Sequence, residues 1–366
     1  MEHPENNEAY KGLTVNDGVA QPSIVNPYLK RQRVKRRELS PAEMVEGIVK
    51  GDVTVLSRAV TLVESVNPDH QSMAQEVIEK CLPYSGNSVR VGISGVPGAG
   101  KSTSIDEFGI HVLQQYGGKL AVLAIDPSSE RSKGSILGDK TRMEKLAQHP
   151  KSFIRPSPSA GSLGGVARKT RETIVLCEAA GYNNIFVETV GVGQSETAVH
   201  SMVDFFLLIQ LAGTGDELQG IKRGIMEMAD GIVINKADGD NIARANLAKA
   251  QFQNALHLFP PTDSGWFPEV LTYSGYYELG IAEVWEMIDR YFDFVKGNGY
   301  FERKRMEQEK YWMYETIDEH LRSNFYRDPE VEAMLKVKQE NVLASRQSSF
   351  VAAREVLDYY FRKQQR

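Results

Sequence analysis

The sequence has few of the residues that define several protein classes. Its 366 residues include only two cysteines, Cys81 and Cys177, which stand far apart and form no Cys-x-x-Cys pair. This argues against a disulfide framework and a thiolate zinc site, and it favours a reducing compartment. The seven histidines form no His-x-His or Cys/His cluster, which argues against a nickel or zinc carrier.

Long hydrophobic runs and an excess of positive charge are also missing. No apolar run approaches the roughly 20 residues that a membrane-spanning helix needs. The first residues, MEHPENNEAY, have neither a signal-peptide core nor a transit-peptide composition. With 43 basic and 48 acidic residues the formal net charge is −5, so the chain has no global attraction for nucleic acid or anionic membrane. We therefore expect a cytoplasmic protein with no nucleic-acid and no membrane partner.

The composition, 41% hydrophobic and 25% charged, is that of a globular chain, and four segments differ in pattern. Residues 1–39 are polar and end in the basic run KRQRVKRR, which predicts a flexible tail. Ser40, Pro41 and Glu43 form a capping-box signal, so residues 40–85 are predicted to be an N-terminal helical segment. Residues 86–296 are the predicted nucleotide domain. Residues 297–366 have apolar residues at helical spacing, which must cover either that domain or a second subunit.

The middle segment predicts an α/β fold. Its short strands alternate with helices and are mostly apolar, as parallel strands covered on both faces must be, whereas half-exposed antiparallel strands would alternate. The predicted strands span residues 89–94, 120–125, 152–154, 185–188, 205–211, 231–234 and 270–273.

The strongest motif directly follows the first predicted strand and directly precedes a helix. It matches G-x-x-x-x-G-K-[ST] and comprises Gly95, Val96, Pro97, Gly98, Ala99, Gly100, Lys101 and Ser102, with Thr103 next in the chain. Its glycines allow backbone N–H groups to wrap a phosphate chain, and the helix terminus adds partial positive charge. Lys101 is predicted to reach the β- and γ-phosphates and Ser102 to ligate Mg²⁺. We therefore predict a P-loop NTPase fold, a G domain whose mostly parallel sheet is flanked by helices, with helical extensions at both ends.

A second motif concerns the base. Asn235, Lys236 and Asp238 form Asn-Lys-x-Asp after a predicted strand. The aspartate carboxylate would accept from guanine N1–H and N2–H₂, a donor pair that adenine lacks, so GTP is favoured over ATP. Ser274, after the next strand, is either a supporting base contact or a simple strand-end turn residue.

Carboxylates between the two motifs are candidates for the hydrolytic centre. Glu188 ends a strand and opens Glu-Thr-Val-Gly, where P-loop GTPases usually have a magnesium-binding aspartate. The alternative for Glu188 is a solvated strand-end carboxylate. Asp126 and Asp139, in AIDPSS and SILGDKTRM, could approach the metal–nucleotide complex, although loop carboxylates are usually solvated. Gln194 lies three residues after Gly191 and is given no water-orienting role.

The segment GTGDELQGIKRG, residues 213–224, is glycine-rich and charged. Gln219 and Lys222 are candidates for completing the transition-state site, and Arg223 is a weaker one. The alternative is a solvated loop that only links a strand to a helix.

VGISGVPGAGKST, AIDPSS, SILGDKTRM, FVETVGVGQSE, GTGDELQGIKRG and NKAD, in this order, resemble the MeaB/ArgK family of P-loop GTPases. Members accompany adenosylcobalamin-dependent methylmalonyl-CoA mutase and were formerly named LAO/AO transport system kinases. The resemblance implies a homodimeric GTPase chaperone that gates cofactor loading onto the mutase and protects it. It also implies that Asp126, Asp139 and Glu188 act around Mg²⁺ and that the mutase reorganises the segment with Gln219 and Lys222. Residues 130–133 (ERSK) depart from the family pattern.

Two other functions fit the motifs. A phosphotransferase, as the transport-kinase name suggests, would need an acceptor pocket and a base, and no distinct acceptor motif is present. A GTP-binding assembly module would have negligible turnover. The chain also lacks the Asp-x-His-x-x-Gly signature of a cobalamin-holding subunit.

Overall fold

A seven-stranded parallel sheet forms the centre of the computed structural model, which describes residue 37 and residues 39–125, 142–156, 163–189, 195–213 and 223–364. Most of the predicted N-terminal tail therefore lies outside the described residues. The strand order is β3-β2-β4-β1-β5-β6-β7. The strands are β1 (Val89–Gly95), β2 (Leu120–Ile125), β3 (Ser152–Pro156), β4 (Asn184–Thr189), β5 (Phe205–Leu211), β6 (Gly231–Asn235) and β7 (Glu269–Thr272).

Helices precede, connect and follow the strands. The N-terminal group is α1 (Pro41–Val49), α2 (Val53–Glu64) and α3 (Pro68–Cys81). The helices between strands are α4 (Lys101–Gln115), α5 (Glu144–Gln148), α6 (Leu163–Ala179), α7 (Ser195–His200), α8 (Arg223–Glu227) and α9 (Ile242–Leu256). After the sheet come α10 (Ile281–Gly297), α11 (Tyr300–Arg327), α12 (Pro329–Leu343) and α13 (Ser349–Gln364).

The sheet confirms the predicted α/β fold, and each strand lies within two residues of its predicted bounds. β2 and β4 are buried along their whole length, as parallel strands between helical layers must be. In register, Ile93 of β1 is paired with Glu188 of β4, and Gly95 is paired with Ile209 of β5. The carboxyl ends of β4, β1 and β5 therefore meet at one edge of the sheet, where ligands bind in open α/β folds.

The helices follow the capping and periodicity signals of the sequence. At α1, Glu43 N donates to Ser40 Oγ and Ser40 N donates to Glu43 Oε2 at 2.9 Å, which is the predicted capping box. The strongest amphipathic helix is α10, whose buried face recurs every three or four residues. Its buried residues are Ile281, Val284, Trp285, Met287, Ile288, Tyr291, Phe292 and Val295.

The long helix α11 has two different faces. Lys304, Gln308 and Trp312, at i, i+4 and i+8, are buried against the sheet domain. The apolar stripe of α11, which includes Met313 and Leu321, points elsewhere, because both of these side chains are more than half exposed. The stripe therefore does not cover the sheet domain within this chain. In the described residues, no helix is long and apolar enough to cross a membrane.

Candidate nucleotide-binding site

The phosphate-loop motif between β1 and α4 takes its shape from glycines at its two ends, Gly95 and Gly100. A Cβ at Gly95 would lie 2.2 Å from the carbonyl oxygen of Ile209 on β5. Gly100 has φ 86°, and a Cβ there would lie 2.7 Å from Nδ2 of Asn235. A side chain at either position would be too close to its neighbour, so the phosphate-loop motif also lets this loop lie against Ile209 of β5 and against Asn235 at the end of β6.

Lys101 points back into its own loop. Its Nζ donates to the carbonyl oxygens of Gly95 at 2.9 Å and Val96 at 3.4 Å. Burial lowers the pKa of Lys101, while the carboxylates of Glu188 and Glu196 act in the opposite direction. The ammonium is thus a partly desolvated cation held by carbonyl groups, which the stronger charge of a polyphosphate can displace.

A cavity of about 510 Å³ opens beside this lysine. Its lining consists of Pro97, Gly98, Gly100, Lys101, Ser102, Thr103, Arg142 and Glu188. The volume is within the range of ligand pockets, and the glycine loop supplies backbone N–H groups at one wall. The structure therefore brings the predicted phosphate ligands together around one cavity.

Ser102 and Glu188 form the part of the cavity that could hold a metal. Ser102 Oγ donates to Glu188 Oε1 at 3.3 Å, which places a hydroxyl and a carboxylate oxygen side by side at the start of α4. Oxygen donors of this kind fit Mg²⁺, which retains water and phosphate ligands and needs few protein side chains. The described residues contain no group of three or more His, Cys, Asp and Glu side chains suited to a metal. Asp126 and Asp139 lie outside the described residues.

Asn235 joins the predicted base site to the phosphate loop. Its Nδ2 donates to the Ala99 carbonyl at 2.7 Å, and its Oδ1 accepts from Gly275 N at 3.0 Å. Lys236 follows in the left-handed region, with φ 59°. Such a conformation is strained for a residue with a side chain and is found where surrounding contacts impose it. The amide of Asn235 therefore fixes the distance between the two motifs.

Asp238 and Ser274 lie in direct contact. Ser274 Oγ donates to Asp238 Oδ2 at 2.6 Å, and Tyr277 N donates to Ser274 Oγ at 3.3 Å. The hydroxyl occupies one carboxylate oxygen and orients the side chain, while lone pairs remain for two further donors. Both alternatives for Ser274 stay open, because its hydroxyl contacts Asp238 and also accepts from Tyr277 N in the turn that follows the strand.

Two residues of this site had no predicted role. Arg142 lines the phosphate cavity, and Glu196 is a buried carboxylate on α7 that acts electrostatically on Lys101. Both belong to motifs that the sequence displays, SILGDKTRM and FVETVGVGQSE. The signal was present, but only the fold shows that Arg142 lines the cavity and that Glu196 is close enough to act on the charge of Lys101. Gln194, Gln219 and Lys222 lie outside the described residues, as does the side chain of Arg223.

Comparison with known proteins identifies the family. The family model described as methylmalonyl-CoA mutase-associated GTPase MeaB matches residues 56–330. The chain belongs to the MeaB family. The resemblance drawn from the six motifs is therefore confirmed, and so is the prediction of a guanine-nucleotide-binding GTPase.

Relatives of the MeaB family are found in bacteria and animals. A probable GTPase of Mycobacterium tuberculosis is 48% identical over 308 residues, which cover 84% of this chain and 91% of that protein. GTPase ArgK of Escherichia coli is 45% identical over 289 residues, covering 79% and 87%. The mouse methylmalonic aciduria type A homolog, a mitochondrial protein, is 44% identical over 308 residues, covering 81% and 74%.

A solved structure supports the MeaB-family fold. The crystal structure of an LAO/AO transport system kinase superposes with a TM-score of 0.70 at 36% identity and covers 88% of this chain and 98% of that one. The predicted P-loop NTPase fold with helical extensions is therefore confirmed.

Proposed function

We propose that this chain is a GTPase chaperone that gates cofactor loading onto adenosylcobalamin-dependent methylmalonyl-CoA mutase, or a related acyl-CoA mutase, and protects that enzyme. The observation that carries the proposal is the junction at Asn235, which ties a guanine-reading Asp238 to a phosphate cavity in a chain of the MeaB family. The family description names an association with the mutase, and the mouse relative is named after methylmalonic aciduria.

Asp238 selects the base in this mechanism. Its carboxylate, oriented by Ser274, accepts from guanine N1–H and N2–H₂. An adenine in the same place would leave these acceptors facing a lone pair, and unpaired buried polar groups are costly. The site therefore binds GTP in preference to ATP.

Lys101 would bind the phosphates directly, and Ser102 would act through the metal ion. When the triphosphate enters, Lys101 Nζ exchanges the carbonyls of Gly95 and Val96 for β- and γ-oxygens, and the ammonium neutralises charge there. Ser102 and Glu188 would hold Mg²⁺, together with Asp126 and Asp139. A bound Mg²⁺ supplies charge neutralisation at the β- and γ-phosphate oxygens.

Gln219 and Lys222 complete the site only when the mutase is bound. The part of the chain that the structure describes places Lys101 and Arg142 at the cavity, and slow basal hydrolysis is expected without further groups. A lysine brought to the γ-phosphate by a partner would stabilise the transition state as an arginine finger does, with a smaller effect than the finger's 10³–10⁵-fold.

The C-terminal helices are the proposed homodimer contact in a cytoplasmic protein. The stripe with Met313 and Leu321 on α11 and the exposed Phe350 and Phe361 on α13 form apolar surface that a second copy would cover. A chain ending at Arg327 retains all of α11 and loses α12 and α13 with Phe350 and Phe361, and we expect it to bind GTP but dimerise more weakly in sedimentation experiments.

The deciding experiment measures phosphate release with and without a cobalamin-dependent acyl-CoA mutase. The unaltered chain should be stimulated, and Lys222→Ala should lose most of the stimulation while it retains its GTP affinity and basal rate. Lys151→Ala, an exposed lysine before β3, is the matched control and should respond like the unaltered chain. No stimulation of any variant would contradict the mutase partner, and a phosphorylated acceptor in place of free phosphate would favour the phosphotransferase.

A further inference from the structure

We propose that Arg142 contacts the phosphates of the bound nucleotide and that Asp106 is the residue that positions it. This inference rests on the proposed function only in requiring that the cavity binds GTP. Arg142 lines that cavity together with Lys101, Ser102 and Glu188, and its side chain is exposed to the opening. It is therefore in place to meet a ligand.

Asp106 anchors the short helix α5, which begins two residues after Arg142. Its carboxylate accepts from the backbone N–H groups of Leu146 at 2.7 Å and Lys145 at 3.1 Å. Asp106 is only 5% exposed, so these two bonds are shielded from competing water. A helix of five residues is too short to be stable alone, and the carboxylate replaces partners that its first N–H groups lack.

Packing fixes the backbone next to Arg142 as well. Met143 and Leu146 are fully buried in the main hydrophobic core. At Gly109 of α4 a Cβ would lie 2.6 Å from the Leu146 side chain, so α5 lies closely against α4. Lys145 Nζ adds outer contacts to Glu107 at 2.7 Å and Glu278 at 2.6 Å.

The two cations that the described residues place at the cavity therefore both depend on α4. Lys101 begins α4, and Asp106 follows on the same helix and holds the backbone that carries Arg142. A triphosphate brings more negative charge than one ammonium neutralises, and Glu188 adds a further negative charge at the same cavity. A guanidinium pairs with two phosphate oxygens through a planar fork of N–H donors, whereas a lysine acts as a point charge without that fixed geometry. The anchor allows this pairing without a large loss of chain entropy.

The test measures GTP affinity and the rate of hydrolysis for Arg142→Ala, Asp106→Asn and the double variant. Arg142→Ala should weaken GTP binding about 10- to 100-fold, the range for losing a hydrogen bond to a charged group, and Arg142→Lys should recover part of it. Asp106→Asn keeps the shape of the side chain but places an amide NH₂ opposite one of the two backbone N–H groups, of Lys145 or Leu146, that the carboxylate binds. Because one of these two anchoring hydrogen bonds is lost, GTP affinity should fall about tenfold. Lys145→Ala removes only the outer contacts and serves as control.

The double variant separates positioning from general stability. If Asp106 acts through Arg142, Asp106→Asn should add no further loss of GTP affinity in the Arg142→Ala background. Equal losses in both backgrounds would overturn the positioning role, and normal affinity of a folded Arg142→Ala chain would overturn the phosphate contact. Absence of GTP binding by the unaltered chain would instead contradict the proposed function itself.

Discussion

The two edges of the sheet hold their buried charges in different ways. At the amino-terminal edge, Arg305 of α11 donates to both carboxylate oxygens of Asp204, from Nε at 2.9 Å and from Nη2 at 2.7 Å. At the carboxyl-terminal edge, Lys101 donates to carbonyl oxygens of its own loop, and burial lowers its pKa. The first arrangement pairs opposite charges within the fold, whereas the second leaves a cation available for a ligand's negative charge.

The amino-terminal edge is a connected network. Glu178 accepts from the Arg90 Nε at 2.9 Å and from Gly86 N at 2.7 Å, while Asp204 also accepts from Arg90 N at 2.9 Å. Arg305 extends the network to α11 and so attaches the C-terminal helices to the strands. Buried charges with complete partners fix geometry and are costly to break singly. This edge therefore serves stability, and the opposite edge serves binding.

The largest effect should follow from Lys101→Ala. Removing the ammonium takes away the charge that stabilises the transferred phosphate, and hydrolysis should fall by about 10²–10³-fold or more. The free energy of unfolding should change by less than about 1 kcal/mol. The variant loses the two hydrogen bonds of the ammonium, but it also avoids the cost of desolvating that cation, so the two effects largely offset each other. Phosphate release and urea unfolding measure the two quantities. A large loss of stability would show that the two edges do not differ as proposed.

The next effect concerns the other edge. Asp204→Ala leaves the Arg305 guanidinium buried without its carboxylate, which should lower the free energy of unfolding by about 3–5 kcal/mol. The chain that remains folded should bind GTP normally, since Asp204 lies at the amino end of β5, far along the strand from the phosphate loop. Urea unfolding combined with GTP titration tests both statements. If the folded Asp204→Ala chain bound GTP more weakly, the amino-terminal edge would contribute to binding as well as to stability, contrary to the proposal.

Much of the fold could be predicted because its signals are local. The apolar runs of β1 to β7 and the capping box at Ser40 depend on neighbouring residues, and both agree with the structure. The role of α11 could not be predicted, because the face that packs on the sheet domain includes Lys304 and Gln308. Polar residues on a buried face have no apolar periodicity, and only their partners Asp204 and Val203 explain them.

The residues of the candidate site also fall into those that the sequence could indicate and those that only the fold reveals. The phosphate loop and Asn-Lys-x-Asp are contiguous motifs, so sequence alone indicated Lys101, Ser102 and Asp238 as one site. Arg142 lies two residues before α5 and Glu196 lies on α7, and the contribution of both to the site depends on how distant segments pack. The assignments of Asp126, Asp139, Gln219 and Lys222 stay predictions.

A smaller effect on stability is expected from His200. It lies near Lys304, whose ammonium donates to the Asp204 carbonyl at the amino-terminal edge of the sheet. Burial, aided by the charge of Lys304, lowers the pKa of His200 to about 4. Below pH 6.5 the unfolded chain binds a proton that the folded chain does not, so stability should fall as the pH decreases from 6.5 to 4. The loss at pH 4 is on the order of 3 kcal/mol. His200→Gln should remove this part of the pH dependence, and identical unfolding profiles for both chains would contradict it.

The smallest effect should come from Arg290→Ala, because Arg290 makes the same two-bonded contact with a carboxylate as Arg305 does, but at the surface. Arg290 on α10 donates to both carboxylate oxygens of Glu269, at 3.2 and 2.8 Å, but the side chains are 50% and 34% exposed. Water and salt screen such a pair, and its loss should cost less than about 1 kcal/mol. Urea unfolding of Arg290→Ala and Arg305→Ala at low and high salt compares the same type of Arg–carboxylate pair at the surface and in the interior. Only the exposed pair should weaken with salt, whereas equal costs would mean that burial is not what makes the Asp204 network important.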